Sequence, residues 1–262
     1  MISSEIHQSL REKYNPDGSD LRKLQLKILD ILIQLHSICE ANNLTYWLAG
    51  GTALGAYRHG GFIPWDDDID VSMPKEDYLR LLSIIEQNPL PNLVLQTWKS
   101  DLHYMLGFSK LRDTNSYIEE AGTEKYKFKG CFIDIFPLSH HTSFMKKISQ
   151  GLLRIPSYFS KYNFSTCIIK KSKDIIITRV FPILQYFDDI FSNKDFLNDS
   201  FGAYFDVPRR KEHLFPPKLI SFEGHHFYAP YNIKEYLKDQ YGESFMEIPR
   251  NIHVHCSSIS FK

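Results

Sequence analysis

The chain has 262 residues, 43% of them hydrophobic and 14% aromatic. That is enough to bury a core in one large domain, and it excludes a disordered chain. The 31 Lys and Arg residues balance the 31 Asp and Glu residues, so no global basic field exists to hold nucleic acid.

The four cysteines, Cys39, Cys131, Cys167 and Cys256, are scattered with no CxxC pair. Reduced thiols are expected rather than a disulfide framework or a zinc ribbon. The first residues carry no apolar h-region, so no secretory signal is expected. No apolar run reaches the roughly 18–20 residues of a spanning helix.

Residues 1–18 are polar and end in the turn Asn15-Pro16-Asp17-Gly18. Ser19 or Asp20 can cap a helix in which Leu21, Leu24, Ile28, Ile31, Leu35 and Ile38 recur at helical spacing, up to Asn42-Asn43. Tyr46 to Ala49 reads as a strand running into Gly50-Gly51. Thr52 then opens a short helix to about His59, and Gly60-Gly61 stops it.

Asp66, Asp67, Asp68 and Asp70 follow, with Ile69 and Val71 interleaved. The alternation predicts a strand with Asp68 and Asp70 on one face. An isolated Asp run is usually a solvated loop. Here the apolar partners and the upstream Gly-Gly-Thr turn point instead to carboxylates gathered around a divalent cation. Pro74 starts the next helix, with Leu79, Leu82 and Ile84 or Ile85 as its buried stripe.

Strands are expected at Leu93–Gln96, Met105–Arg112 and Tyr117-Ile118, and again at Cys131–Pro137. The last is very apolar, with Asp134 at its centre. A lone buried carboxylate is costly unless it is paired, bonded to amides or bound to a metal. Residues 135–173 contain no acid but carry Lys146, Lys147, Arg154, Lys161, Lys170, Lys171 and Lys173 among aromatic residues. This predicts a helical insertion that is either a solvated cap or a surface for anionic lipid or a glycolipid acceptor. Near the end, Ile220–Phe222 and His226–Tyr228 flank Glu223-Gly224 as a hairpin, and Asn232 caps a helix to Tyr241. His253, His255 and Cys256 lack a fourth ligand at zinc spacing, so a structural role is expected.

A Gly-Gly-Thr turn, a helix, an Asp-x-Asp segment and a distant Asp on an apolar strand resemble a nucleotidyltransferase-fold active site. Carboxylates there hold Mg²⁺ or Mn²⁺, which neutralises charge as a phosphorus–oxygen bond breaks. Gly50, Gly51 and Thr52 suit the phosphate end of a donor. Lys110 and Arg112 are either exposed strand charges or cations that balance phosphate. The expected fold is α+β, with a nucleotidyltransferase-like mixed sheet, flanking helices and a helical insertion. A single domain would divide into an N-terminal helical segment (1–43), a core (44–138), the insertion (139–212) and a C-terminal segment (213–262).

The segments AGGTALGAYRHGGFIPWDDDIDVSMP, SKLRD, FIDIFPL, FEGHHFYAP and EYLKDQYG resemble the LicD family of phosphorylcholine transferases, related to fukutin-type sugar-phosphate transferases. The resemblance implies transfer of phosphocholine from CDP-choline to a hydroxyl of a cell-surface glycan or glycolipid, releasing CMP. The acceptor class would be lipooligosaccharide or a teichoic-acid precursor, modified in the cytoplasm at the inner membrane face. By the same resemblance Asp66, Asp68, Asp70 and Asp134 fall on metal-site positions, while Asp67 takes the variable place between the first two. Arg58 and the Glu223 segment also fall on family motifs. Asp70 or Asp134 is the expected general base. Arg250 and His253 lie in a closing segment, RNIHVHC, that is compressed relative to the family. Trp65, Trp98 and Tyr104 are candidates for a choline cage. A metal-dependent glycosyltransferase and a non-catalytic binding module are the competing expectations.

Overall fold

The computed structural model describes residues 2–203, 207–250, 252 and 259–261. His253, His255 and Cys256 lie outside the described residues. The chain begins with α1 (Ser4–Tyr14), capped by the Ser3 hydroxyl. The polarity of this stretch conceals a helix, because α1 buries no residue fully. α2 (Asp20–Ala41) follows, capped by Ser19, with Leu24, Ile28, Ile31, Leu32 and Leu35 in the core.

A seven-stranded sheet forms the centre. Its strands are β1 (Trp47–Leu48), β2 (Asp70–Pro74), β3 (Leu93–Gln96), β4 (Ser109–Asp113), β6 (Phe132–Ser139), β7 (Phe196–Asp199) and β8 (Arg209–Arg210). β5 (Ser116–Ile118) pairs apart with β11 (Ile259–Phe261). The order β1-β2-β6-β4-β3 puts β6 between β2 and β4, and β7 joins the far end of β6. β2 and β6 run parallel, while β4 and β7 are antiparallel to β6. The architecture is α+β with a mixed sheet.

Because strand side chains alternate, one face of β2, β4 and β6 carries Val71, Met73, Leu111, Ile133 and Ile135, all fully buried in the core. α2 and α4 (Lys75–Gln87) cover that face. The opposite face carries Asp70, Lys110 and Asp134. The apolar stripe of α4 is Tyr78, Leu81 and Ile85, whereas the predicted Leu79 points outward. Ile85 is buried as predicted, while the two positions before it shift by one residue because Tyr78, not Leu79, reaches under β4, where its hydroxyl meets that of Ser109.

α3 (Gly50–His59) links β1 to the carboxylate segment and ends at Gly60 in the left-handed region, φ 72°. The strand that follows starts only at Asp70, so Asp66 to Asp68 are not in it. Gln25 of α2 explains this. Its amide donates to the Asp66 carbonyl at 2.8 Å, and Asn15 donates to the Gln25 side chain at 2.6 Å. These bonds hold the backbone of the acidic run away from any sheet partner.

The insertion contains α5 (Ser143–Lys161), α6 (Thr166–Ile175), a π-helical turn (Ile176–Val180) and α7 (Phe181–Phe191). It is not helical throughout, since β7 returns to the main sheet. Two of its predicted surface cations are buried. Lys146 donates to the carbonyls of Asp199 and Ser200, and Lys173 to those of Asp101, Leu102 and Tyr104. Carbonyls at the ends of irregular segments need donors, and a lysine supplies three. After α8 (Lys211–Leu214), β9 (Lys218–Phe222) and β10 (His225–Ala229) form the predicted hairpin. α9 (Ile233–Tyr241) is capped by Asn232.

Candidate active site

The parallel register of β2 and β6 sets Asp70 directly beside Asp134. The antiparallel register of β4 and β6 sets Lys110 against Asp134 on its other side. The Lys110 ammonium lies 2.8 and 3.0 Å from the two Asp134 oxygens and 3.3 Å from the Phe132 ring centroid. It hydrogen-bonds Oδ2 and leaves Oδ1 buried without a hydrogen bond.

The Gly-Gly turn is the floor of the site. A Cβ on Gly50 would stand 2.9 Å from Asp70 Oδ2, and one on Gly51 would stand 2.9 Å from Asp66 Oδ2. Only glycine leaves room for both carboxylates, and Gly50 also has φ 51°. The Thr52 hydroxyl accepts the Asp70 N–H at 2.8 Å, fixing the start of β2. The Gly50 N–H donates to the Tyr236 hydroxyl at 3.3 Å. Tyr236 in turn contacts Arg209, which is ion-paired with buried Asp199 at 3.0 Å.

Oxygens of Asp66, Asp67 and Asp68 lie within 4.8 Å of one another. Asp67, set outside the metal positions by the resemblance, therefore stands with its neighbours. Burial raises the pKa of Asp66 to about 8, with the charges of Asp68 and Asp67 adding to it. Burial also raises Asp70 well above the usual carboxylate range, and Asp68, Asp134 and Asp66 push the same way. Asp134 rises to about 6, because burial outweighs the opposing charge of Lys110. Like charges gathered in a poorly solvated place resist ionisation. A hard cation relieves this, and an all-oxygen donor set suits Mg²⁺ or Mn²⁺. The residues present therefore fit such an ion.

Two predicted cations are engaged elsewhere. Arg112 is fully buried, and its guanidinium donates to Gln96, Gly130 and Glu120. Arg58 donates to His59 and to the carbonyls of Phe245 and Glu247, which ties α3 to the C-terminal segment. Among the cage candidates, Trp65 packs edge-on against Tyr14 and His59, and Tyr104 is buried against Phe108 and Tyr126. Trp98 lines a cavity elsewhere in the fold.

Three side chains of the segments FEGHHFYAP and EYLKDQYG support the site in roles that the sequence reading did not assign. Glu223 accepts from Arg22 at 2.7 Å and from the Phe62 N–H at 3.1 Å, clamping the Gly60-Gly61 turn. Tyr236 accepts the Gly50 amide. Burial raises the Tyr241 phenol pKa, and Tyr236, Asp70, Asp66 and Asp68 push the same way. The spacing of α9 gave one signal, since Tyr236 lies on its buried stripe beside Leu237.

Residues 43–181 match the family described as LicD/FKTN/FKRP, nucleotidyltransferase domain. This chain belongs to that family. All four predicted metal-site acids and Lys110 fall inside the matched residues; Glu223, Tyr236 and Tyr241 fall outside. Among LicD relatives, the chain is 29% identical over 251 residues to the lipopolysaccharide cholinephosphotransferase LicD of Haemophilus influenzae, covering 87% of this chain and 92% of that protein. It is 52% identical over 40 residues to the human ribitol 5-phosphate transferase FKRP, covering 15% of this chain and 8% of that protein. Family and relatives make this LicD-family chain a phosphotransferase.

Proposed function

We propose that this protein transfers phosphocholine from CDP-choline to a hydroxyl of a cell-surface glycan of the lipopolysaccharide or teichoic-acid type. The oxygen cluster of Asp66, Asp67 and Asp68, with Asp70 and Asp134 side by side on β2 and β6 and within electrostatic reach of Asp68, carries this reading, and the LicD of H. influenzae supplies the head group. These four carboxylates would hold Mg²⁺ or Mn²⁺. When bound, the ion neutralises phosphate charge as the phosphorus–oxygen bond breaks.

The new bond joins the acceptor oxygen to the phosphorus of phosphocholine, and the bond to CMP breaks. The acceptor proton goes to Asp70 or Asp134, and the leaving phosphate carries its charge away on CMP. Asp134 is the better placed base, since Lys110 and burial hold it near neutrality. Lys110 sits where it balances phosphate charge. The first turn of α3, at Gly50, Gly51 and Thr52, offers its end of the helix dipole to the donor. Arg112 and Arg58 act from behind, as fixed positive charge and as struts.

Among the described residues no helix is long and apolar enough to cross a membrane. We place the enzyme in the cytoplasm, where it meets its acceptor at the inner membrane face.

The test is a thermal-shift titration with CDP-choline and CDP-ribitol, with and without Mg²⁺, on the wild type and Asp68→Ala. Stabilisation by CDP-choline that requires Mg²⁺ and vanishes in the variant supports the reading. A response to CDP-ribitol alone would replace choline with ribitol. No response in folded protein would overturn the reading and favour a binding module.

A further inference from the structure

A cavity of about 540 Å³ lies where α4 meets the insertion. This is within the range of about 300–1,000 Å³ typical of small-molecule sites. Its walls are mostly apolar: Leu79 and Leu82 from α4, Trp98 and Phe108 from the loops, Ile177 and Phe181 from the insertion. Both clusters contribute to its walls, Tyr78 and Leu82 from the main core and Leu153, Phe181 and Phe201 from the small one.

Three observations identify its occupant. The first is charge. The lining carries Lys75 and Lys99 against one acid, Glu86; burial lowers the Lys75 pKa while the charges of Glu76 and Asp189 push the other way, and no carboxylate lies within ion-pair distance of Lys75 among the described residues. A half-buried cation in an apolar wall calls for an anionic partner.

The second is the rim. Phe181 and Pro182 line the cavity, and α7 continues from them. Ile183, Tyr186, Phe187, Ile190 and Phe191 recur at helical spacing, and all are more than half exposed. Such a stripe normally faces a core; here it is exposed on the helix whose first residues line the cavity. Thr142 bonds Asp188 at 2.6 and 2.8 Å, which sets the start of α5 beside α7. The outward face of α5 carries Lys147, Arg154 and Lys161 with Phe144 and Tyr158, a mixture suited to an anionic bilayer surface.

The third is the shared wall. Phe108 stacks on Phe136 at 4.5 Å, and the Lys110 ammonium lies 5.9 Å from its ring. Lys75 follows β2, whose first residue is Asp70, so about 16 Å of strand separates them.

We propose that this cavity holds the hydrocarbon chain of an anionic lipid-linked acceptor. The chain lies among Leu79, Leu82, Trp98 and Phe181. Its acidic linkage meets Lys75, and the glycan extends past Phe108 toward Asp134. The word acceptor rests on the phosphotransferase reading; the chain site does not.

The experiment follows binding of 11-(dansylamino)undecanoic acid to the full chain by fluorescence. The wild type should bind saturably. Ser83→Trp, at an exposed position of α4 that lines the cavity, should fill the space and weaken binding at least tenfold. Lys75→Met should weaken the acid probe severalfold and leave the corresponding dansyl alcohol unchanged. Absence of saturable binding, or equal affinity in Ser83→Trp, would overturn the proposal. The Mg²⁺-dependent response to CDP-choline should persist in Ser83→Trp. Probe binding without that response would keep the chain site and overturn only the acceptor role.

Discussion

Asp70 and Asp134 stand side by side in neighbouring parallel strands, and Lys110 pairs with Asp134 from the opposite strand. Lys110 thus faces a cluster of at least four carboxylates, with Arg112 and Arg58 acting on it from behind. The net negative charge of this face is the physical basis for the behaviour expected below.

Stability without metal should fall as pH rises. The acids with raised folded-state pKa values bind protons more tightly than in the unfolded chain. Their cost is absent below about pH 4, accumulates as pH rises from there, and is complete once pH has passed about 6 for Asp134 and about 8 for Asp66. A tenfold difference in proton affinity between the folded and unfolded chain corresponds to about 1.4 kcal/mol before solvent screening. In EDTA, the melting temperature should be several degrees lower at pH 8.5 than at pH 5.5. Mg²⁺ should restore it at pH 8.5 and do little at pH 5.5. A flat profile in both conditions would contradict this.

Gly51→Ala should separate activity from stability. Alanine suits the first turn of α3, so folding should be nearly unaffected. The added Cβ would press on Asp66 Oδ2, and transfer activity should fall about a hundredfold, equivalent to about 3 kcal/mol. Calorimetry and an initial-rate assay on one preparation check both halves.

Thr52→Val keeps the shape but removes the acceptor for the Asp70 N–H. An orphaned buried amide costs about 1–3 kcal/mol. Urea denaturation should report that loss, and Thr52→Ser should recover most of it.

Arg22 and Glu223 form a part-buried pair that bridges the first and last thirds of the chain. Arg22→Met and Glu223→Gln should each destabilise by about 1–3 kcal/mol, and the double variant by less than their sum. Additive losses in a double-mutant cycle would mean that the pair does not couple.

Much of this was legible beforehand. The spacing of Leu21 to Ile38 gives α2, and the turn at Glu223-Gly224 gives the hairpin. The interleaving of Ile69 and Val71 with acids shows which side faces the core. Leu79 misled because Leu is normally the better core residue, yet a tyrosine could both fill the space under β4 and satisfy its hydroxyl on Ser109. Lys146 and Lys173 misled because composition counts a charge without showing that carbonyls fold around it. Arg112 reads as an exposed or phosphate-facing cation until Gln96, Gly130 and Glu120 are seen to surround it.

The sequence by itself determined the local elements, the glycine turn and the identity of the carboxylates. These depend on residue type and on periods of 2 and 3.6, which are written along the chain. Tertiary structure alone decided the pairing of Asp70 with Asp134, the clamp from Arg22 to Glu223, the bond from Gly50 to Tyr236, and the cavity beside Lys75. Each joins residues far apart in sequence, and strand register and side-chain partners are chosen by packing across the whole fold.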